Sequence, residues 1–103
     1  MDGGPGVIES YKTPTLHLAL KKEYFDAVRD GSKTHEYRLA SPYWVKRLVG
    51  RKYDGIVLTL GYPARGNDSR RLVRPWRGCT VETITHPHFG SRPVHVFAIE
   101  VRE

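Results

Sequence analysis

Leucines at 16, 18 and 20 alternate with His17 and Ala19, the pattern of a strand with one buried face. From Lys21 the period lengthens. Tyr24, Phe25 and Val28 fall at i, i+1 and i+4, with Ala27 beside them and Lys22, Glu23, Asp26 and Arg29 facing away. That spacing predicts an amphipathic helix over 21–30. Gly31 stands where a left-handed cap ends a helix, since glycine has no Cβ to clash at positive φ. Ser41-Pro42 supplies an N-cap and a proline for the first helical position, predicting a second helix from 42 to about 49 with Trp44, Val45 and Leu48 buried. Ile56-Val57-Leu58-Thr59-Leu60 is apolar on both faces, as a central strand is. It stops at Gly61-Tyr62-Pro63, which cannot extend a central strand. Leu72-Val73, 78–85 and 95–101 read as further strands.

Between the two helices the pattern turns polar. Gly31-Ser32-Lys33-Thr34-His35-Glu36-Tyr37-Arg38, read as a strand, sets Lys33, His35 and Tyr37 on one face and Thr34, Glu36 and Arg38 on the other. Neither set makes an ordinary core. The segment is either a solvated edge or the wall of a polar site. Residues 1–14 carry Gly3, Gly4, Pro5, Gly6 and Pro14 and read as a flexible arm, so residues 15–103 form a single domain. The order of strand, helix, strand, helix and then several strands predicts an α+β fold: a closed or strongly curved sheet with two helices packed on it.

Composition sharpens this in three ways. Hydrophobic residues are 39% of the chain, enough for one modest core, and six Tyr, three Phe and two Trp predict an aromatic-rich one. A formal charge of +6 points to an anionic partner, with nucleic acid the usual one. The lone cysteine, Cys79, excludes an internal disulfide and a cysteine zinc site, which fits a reducing, cytoplasmic setting. No apolar run reaches the ~18–20 residues of a membrane span, and no signal peptide is readable at the N-terminus.

The spacing Gly31-x-Lys33-x-x-Glu36-x-Arg38, the helix Glu23-Tyr24-Phe25-Asp26-Ala27-Val28 before it and the closing Val96-Phe97-Ala98-Ile99-Glu100-Val101 resemble the ASCH domain, a member of the PUA-like superfamily, over roughly residues 15–103. The resemblance implies a small PUA-like β-barrel of five to six strands, with two short helices packed at one opening and the motif lining a cleft. It also implies RNA or a nucleoside or nucleotide as ligand. Some small members of that family are amidohydrolases on N4-acylated cytidines, and ribonuclease activity is associated with others. The amidohydrolases pair the motif lysine with a threonine where this chain has Glu36.

The candidate residues follow. Arg38 offers a planar fork for a phosphate or a base edge, and Glu36 an acceptor for an exocyclic amine or for Lys33. A lysine desolvated beside an arginine gives up its proton more readily and can act as base or nucleophile, so Lys33 and Glu36 are the catalytic candidates. Glu82, an acid in mid-strand, is an alternative carboxylate. Tyr43, Tyr62 and Trp76 are candidate base-stacking aromatics. Arg65, Arg74 and Arg77, in a segment of five arginines and one acid from 65 to 77, are candidate phosphate contacts. His86 and His88 flank a proline without a third ligand nearby; they read as loop histidines, with a proton-shuttle role if the loop folds over the cleft. No metal or cofactor is expected. The favoured function is RNA or nucleotide binding; the alternatives are a small hydrolase using Lys33 and a carboxylate, and a protein-interaction domain.

Overall fold

The computed structural model describes residues 14–103, so the arm expected over 1–14 lies, apart from Pro14, outside the described residues. Six strands and two helices follow in the order β1 (Leu16–Leu20), α1 (Lys22–Asp30), β2 (His35–Leu39), α2 (Pro42–Leu48), β3 (Ile56–Leu60), β4 (Arg71–Arg74), β5 (Cys79–Ile84) and β6 (Val94–Glu100), with short 3-10 turns at Asp68–Arg70 and Pro87–Phe89. They form two three-stranded sheets, ordered β1-β3-β4 and β2-β6-β5. β1 and β3 are parallel, Leu16 opposite Ile56 and Leu20 opposite Leu60. All other pairings are antiparallel. The parallel pair needs a long crossover, and 21–55 supplies it, passing through both helices and contributing β2 to the other sheet.

The closed barrel expected from the resemblance is not formed by the backbone: no ladder joins the two sheets among the described residues. Two arginines link them instead. Arg38 on β2 donates from a terminal guanidinium nitrogen to the Ala19 carbonyl on β1 at 3.1 Å. Arg74 on β4 donates from Nε to the Val101 carbonyl, just beyond β6, at 3.0 Å.

The core lies between the sheets. Leu16, Leu18 and Leu20 from β1 meet Phe25 and Val28 from α1, Ile56 and Leu58 from β3, and Phe97 and Ile99 from β6. Burying each such side chain contributes roughly 1.5–3 kcal/mol. This core is mainly aliphatic, against the aromatic-rich expectation. Tyr24, Trp44, Tyr53 and Trp76 sit at its margin, half-buried, because their polar tips need a partner or water. Val45, expected in the buried stripe of α2, is 42% exposed: that helix has only seven residues and seats itself through Leu48 and Trp44.

Candidate functional site

The end of α1 positions the first functional side chain. Gly31 adopts φ 88° and its N–H bonds the Val28 carbonyl at 3.2 Å. In a Schellman ending the next N–H would take the Ala27 carbonyl. Here the Ser32 N–H turns to the Asp30 carboxylate at 2.8 Å, and the Lys33 N–H takes Ala27 at 3.0 Å. Lys33 therefore belongs to the helix ending, with β2 beginning only at His35. The strand alternation that would put Lys33 opposite Glu36 does not apply. Lys33 Nζ lies 3.5 Å from Glu36 Oε1.

Glu36 is 5% exposed and ion-paired to Arg38 through its other carboxylate oxygen. Arg38 also reaches the carbonyls of Tyr37 at 3.0 Å and Ala19 at 3.1 Å. Its guanidinium carbon lies 5.5 Å from the Trp44 ring centre. Trp44 is held in the first turn of α2 by the Ser41 cap, whose side chain accepts from the Trp44 N–H at 3.5 Å. Lys33 Nζ sits 5.2 Å from the Tyr24 ring centre and 5.1 Å from that of Tyr37, within cation–π range of both.

These groups line an open cleft of about 370 Å³ between the end of β1, α1, β2, the start of α2 and the loop after β5. Among the described residues its walls carry the cations Lys21, Lys33 and Arg38 against one carboxylate, Glu36, together with the rings of Tyr24, Tyr37, Trp44, His86, His88 and Phe89. The histidines arrive through sheet order. β2 and β5 flank β6 and both run antiparallel to it, so the chain leaving Ile84 emerges beside the end of β2. The following turn then folds over the cleft. The His86 ring Nδ1 accepts from the His88 N–H at 3.1 Å, and the His88 ring meets Tyr24 edge-on at 6.3 Å.

A second concavity, about 520 Å³, adjoins the first. Ala19, Arg38 and Trp44 belong to both walls. Tyr43 and Tyr62 line this second space and not the first, with Arg71, His17 and Thr59.

The structure thus brings Lys33, Glu36 and Arg38 together, and Tyr43 and Tyr62 beside them. It does not bring the remaining candidates there. Arg74 is 7% exposed and bonded to the carbonyls of Val101 and Val73. Arg77 donates to the Arg102 and Glu103 carbonyls and pairs with Glu100 at 3.2 Å. Trp76, expected to be exposed, packs against the core and edge-on to Tyr53 at 5.0 Å. Arg65 is exposed on the loop after β3 and lines neither concavity. Glu82 is exposed on β5, where its contact is the Thr80 hydroxyl at 3.3 Å.

Lys21, Tyr24, Tyr37, Trp44 and Phe89 line the cleft without standing among the sequence candidates. Tyr24 carries a signal: it sits at the edge of the helix stripe, where a ring with a polar tip faces a margin and not a core. Phe89 carries none, since the order of strands across the sheet brings it in. Cys79 is half-buried and packed on the core, and burial raises its thiol pKa, away from the profile of a nucleophile. Among the described residues no three His, Cys, Asp or Glu side chains cluster as metal ligands, and no helix is long and apolar enough to cross a membrane. Compared with protein-family models, with curated proteins and with solved structures, the chain finds no match.

Proposed function

We propose that the cleft holds a nucleobase with its attached phosphate, making the chain an RNA- or nucleotide-binding domain of the ASCH type. One observation carries the reading: a nearly fully buried carboxylate, Glu36, is held between two cations at the wall of a cleft lined with rings. An ordinary surface ion pair has no reason to be desolvated there. The trio fixes the Arg38 fork and the Lys33 ammonium in place, and the rings around them suit a flat ligand. Three cations to one acid favour an anionic one.

Binding is favoured over hydrolysis because Glu36, the only carboxylate lining the cleft among the described residues, already has both oxygens engaged, and the Lys33 side chain lies between that carboxylate and two ring faces. The test is calorimetric titration with the four ribonucleoside 5′-monophosphates at low salt. Binding is expected, and Lys33→Ala should weaken it by about ten-fold or more, the size of a lost charge-assisted contact. Absence of binding by the wild-type chain to every mononucleotide and to single-stranded RNA would overturn the reading. Release of acetate from N4-acetylcytidine, abolished by Lys33→Ala, would replace it with the hydrolase.

A further inference from the structure

The second concavity has the properties of a neighbouring subsite. It shares a wall with the cleft, at Ala19, Arg38 and Trp44. Among the described residues its lining holds two guanidiniums, Arg38 and Arg71, and no carboxylate, so an anionic occupant meets no repulsion from them. Two tyrosines stand on it, and they differ. The Tyr43 residue is 56% exposed, but its ring is already engaged: the Arg47 guanidinium carbon lies 3.4 Å from its centre, and Trp44 meets it edge-on at 5.1 Å. Tyr62 is 95% exposed, an unusual state for a large ring.

The backbone beneath Tyr62 is nevertheless fixed on both sides. The Gly61 N–H bonds the Leu20 carbonyl at 3.0 Å, and the Thr59 hydroxyl donates to the Gly61 carbonyl at 2.7 Å. Beyond Tyr62, the Arg71 guanidinium donates to the carbonyls of Pro63, Ala64 and Asn67 at 3.4, 3.1 and 3.0 Å. A ring in water on an anchored backbone is available for stacking, with the side-chain torsions and not the loop left for the ligand to order.

We propose that the ligand is a stretch of single-stranded RNA at least two nucleotides long, one base in the cleft and its neighbour in the second concavity stacked on Tyr62, with the linking phosphate crossing the shared wall at Arg38. This rests on the reading of the cleft given above. It separates a strand reader from a binder of free nucleotides.

Calorimetric titration of the full chain with UMP and with the trinucleotide UpUpU tests it, in wild type, Tyr62→Ala and Tyr62→Trp. The trinucleotide is expected to bind at least about ten-fold more tightly than the mononucleotide in wild type, the scale of one stacked base. Tyr62→Ala removes most of that advantage, and Tyr62→Trp keeps it. A trinucleotide that binds no tighter than UMP, or an advantage that survives Tyr62→Ala, overturns the subsite and leaves the cleft standing. Failure of UpUpU to bind wild type overturns the subsite, and failure of the other three mononucleotides and of single-stranded RNA as well takes down the cleft with it. Because Tyr62 is 95% exposed, its replacement does not threaten the fold.

Discussion

At the scale of a residue, the question is what Glu36 is worth. An exposed ion pair contributes about 0–1 kcal/mol. A buried carboxylate between two cations behaves differently: removing it leaves both cations uncompensated at the edge of a low-dielectric region, a loss of about 3 kcal/mol. Glu36→Gln, which keeps the shape and drops the charge, should therefore lower unfolding free energy by about that much in urea titration. Pairing it with Arg38→Gln should give a combined loss smaller than the sum of the two. A loss below 1 kcal/mol for Glu36→Gln would return the trio to the status of a solvated edge. The sequence announced the trio by its charges but not its packing. Glu36 and Arg38 two apart on a strand face were enough to pair them. Alternation sets Lys33 on the wrong side, because its position comes from hydrogen bonds at the helix end that alternation does not encode. Arg74 was unreadable for a related reason. Four charged neighbours in sequence suggest a solvated loop, while its burial depends on where the chain end lies in space.

At the scale of an element, the turn between α1 and β2 sets the site. Gly31 at φ 88° has nothing within 4 Å of where a Cβ would sit, so Gly31→Ala meets no clash and carries only the left-handed penalty. That is about 1–2 kcal/mol, measurable by urea unfolding, with Gly31→Asn costing less because asparagine tolerates this conformation. The same turn is tuned by pH. The Ser32 hydroxyl, and then its backbone N–H, hold the Asp30 carboxyl below the ordinary aspartate range. A depressed carboxyl contributes stability that is complete above the unfolded value, about 3.9, and lost as pH falls through the lower folded one. Acid titration followed by NMR should move the Ser32 amide with a midpoint below about pH 3.9, and Asp30→Asn should remove the response. Movement already complete above that pH would mean that the turn is not held by this carboxylate. These elements were legible because their signals are local: the stripe of α1, the Ser41-Pro42 start of α2, the alternation of β1 and the apolar run of β3 all needed only neighbours in sequence. Closure was not legible. Whether two curved sheets join by a ladder or by side chains depends on strand tilt, which no periodicity records.

At the scale of the molecule, four arginines are engaged in holding the fold, and two of these, Arg38 and Arg71, also line the proposed ligand site. Arg38 and Arg74 span the gaps between the sheets. Arg71 pins the loop after β3 and Arg77 pins the last residues of the chain. A count of charges in the segment from 65 to 77 would overstate the phosphate-binding surface, and salt dependence measures the overstatement. On single strands each neutralised phosphate contributes about −0.7 to the slope of log affinity against log salt. If all five arginines of the segment met phosphates, the slope would approach roughly −3.5. With contact confined to the cleft and the concavity beside it, one or two phosphates are met and the slope lies between about −0.7 and −1.4. Fluorescence anisotropy of a labelled hexanucleotide RNA across a potassium chloride series distinguishes the two. Arg74→Lys supplies the cross-check. Lysine lacks the fork that reaches Val73 and Val101 together, so the variant should unfold at lower urea with the salt slope unaltered. A steep slope that drops by about 0.7 on this substitution would put Arg74 back on the nucleic-acid surface and require the seam between β4 and β6 to open when RNA binds.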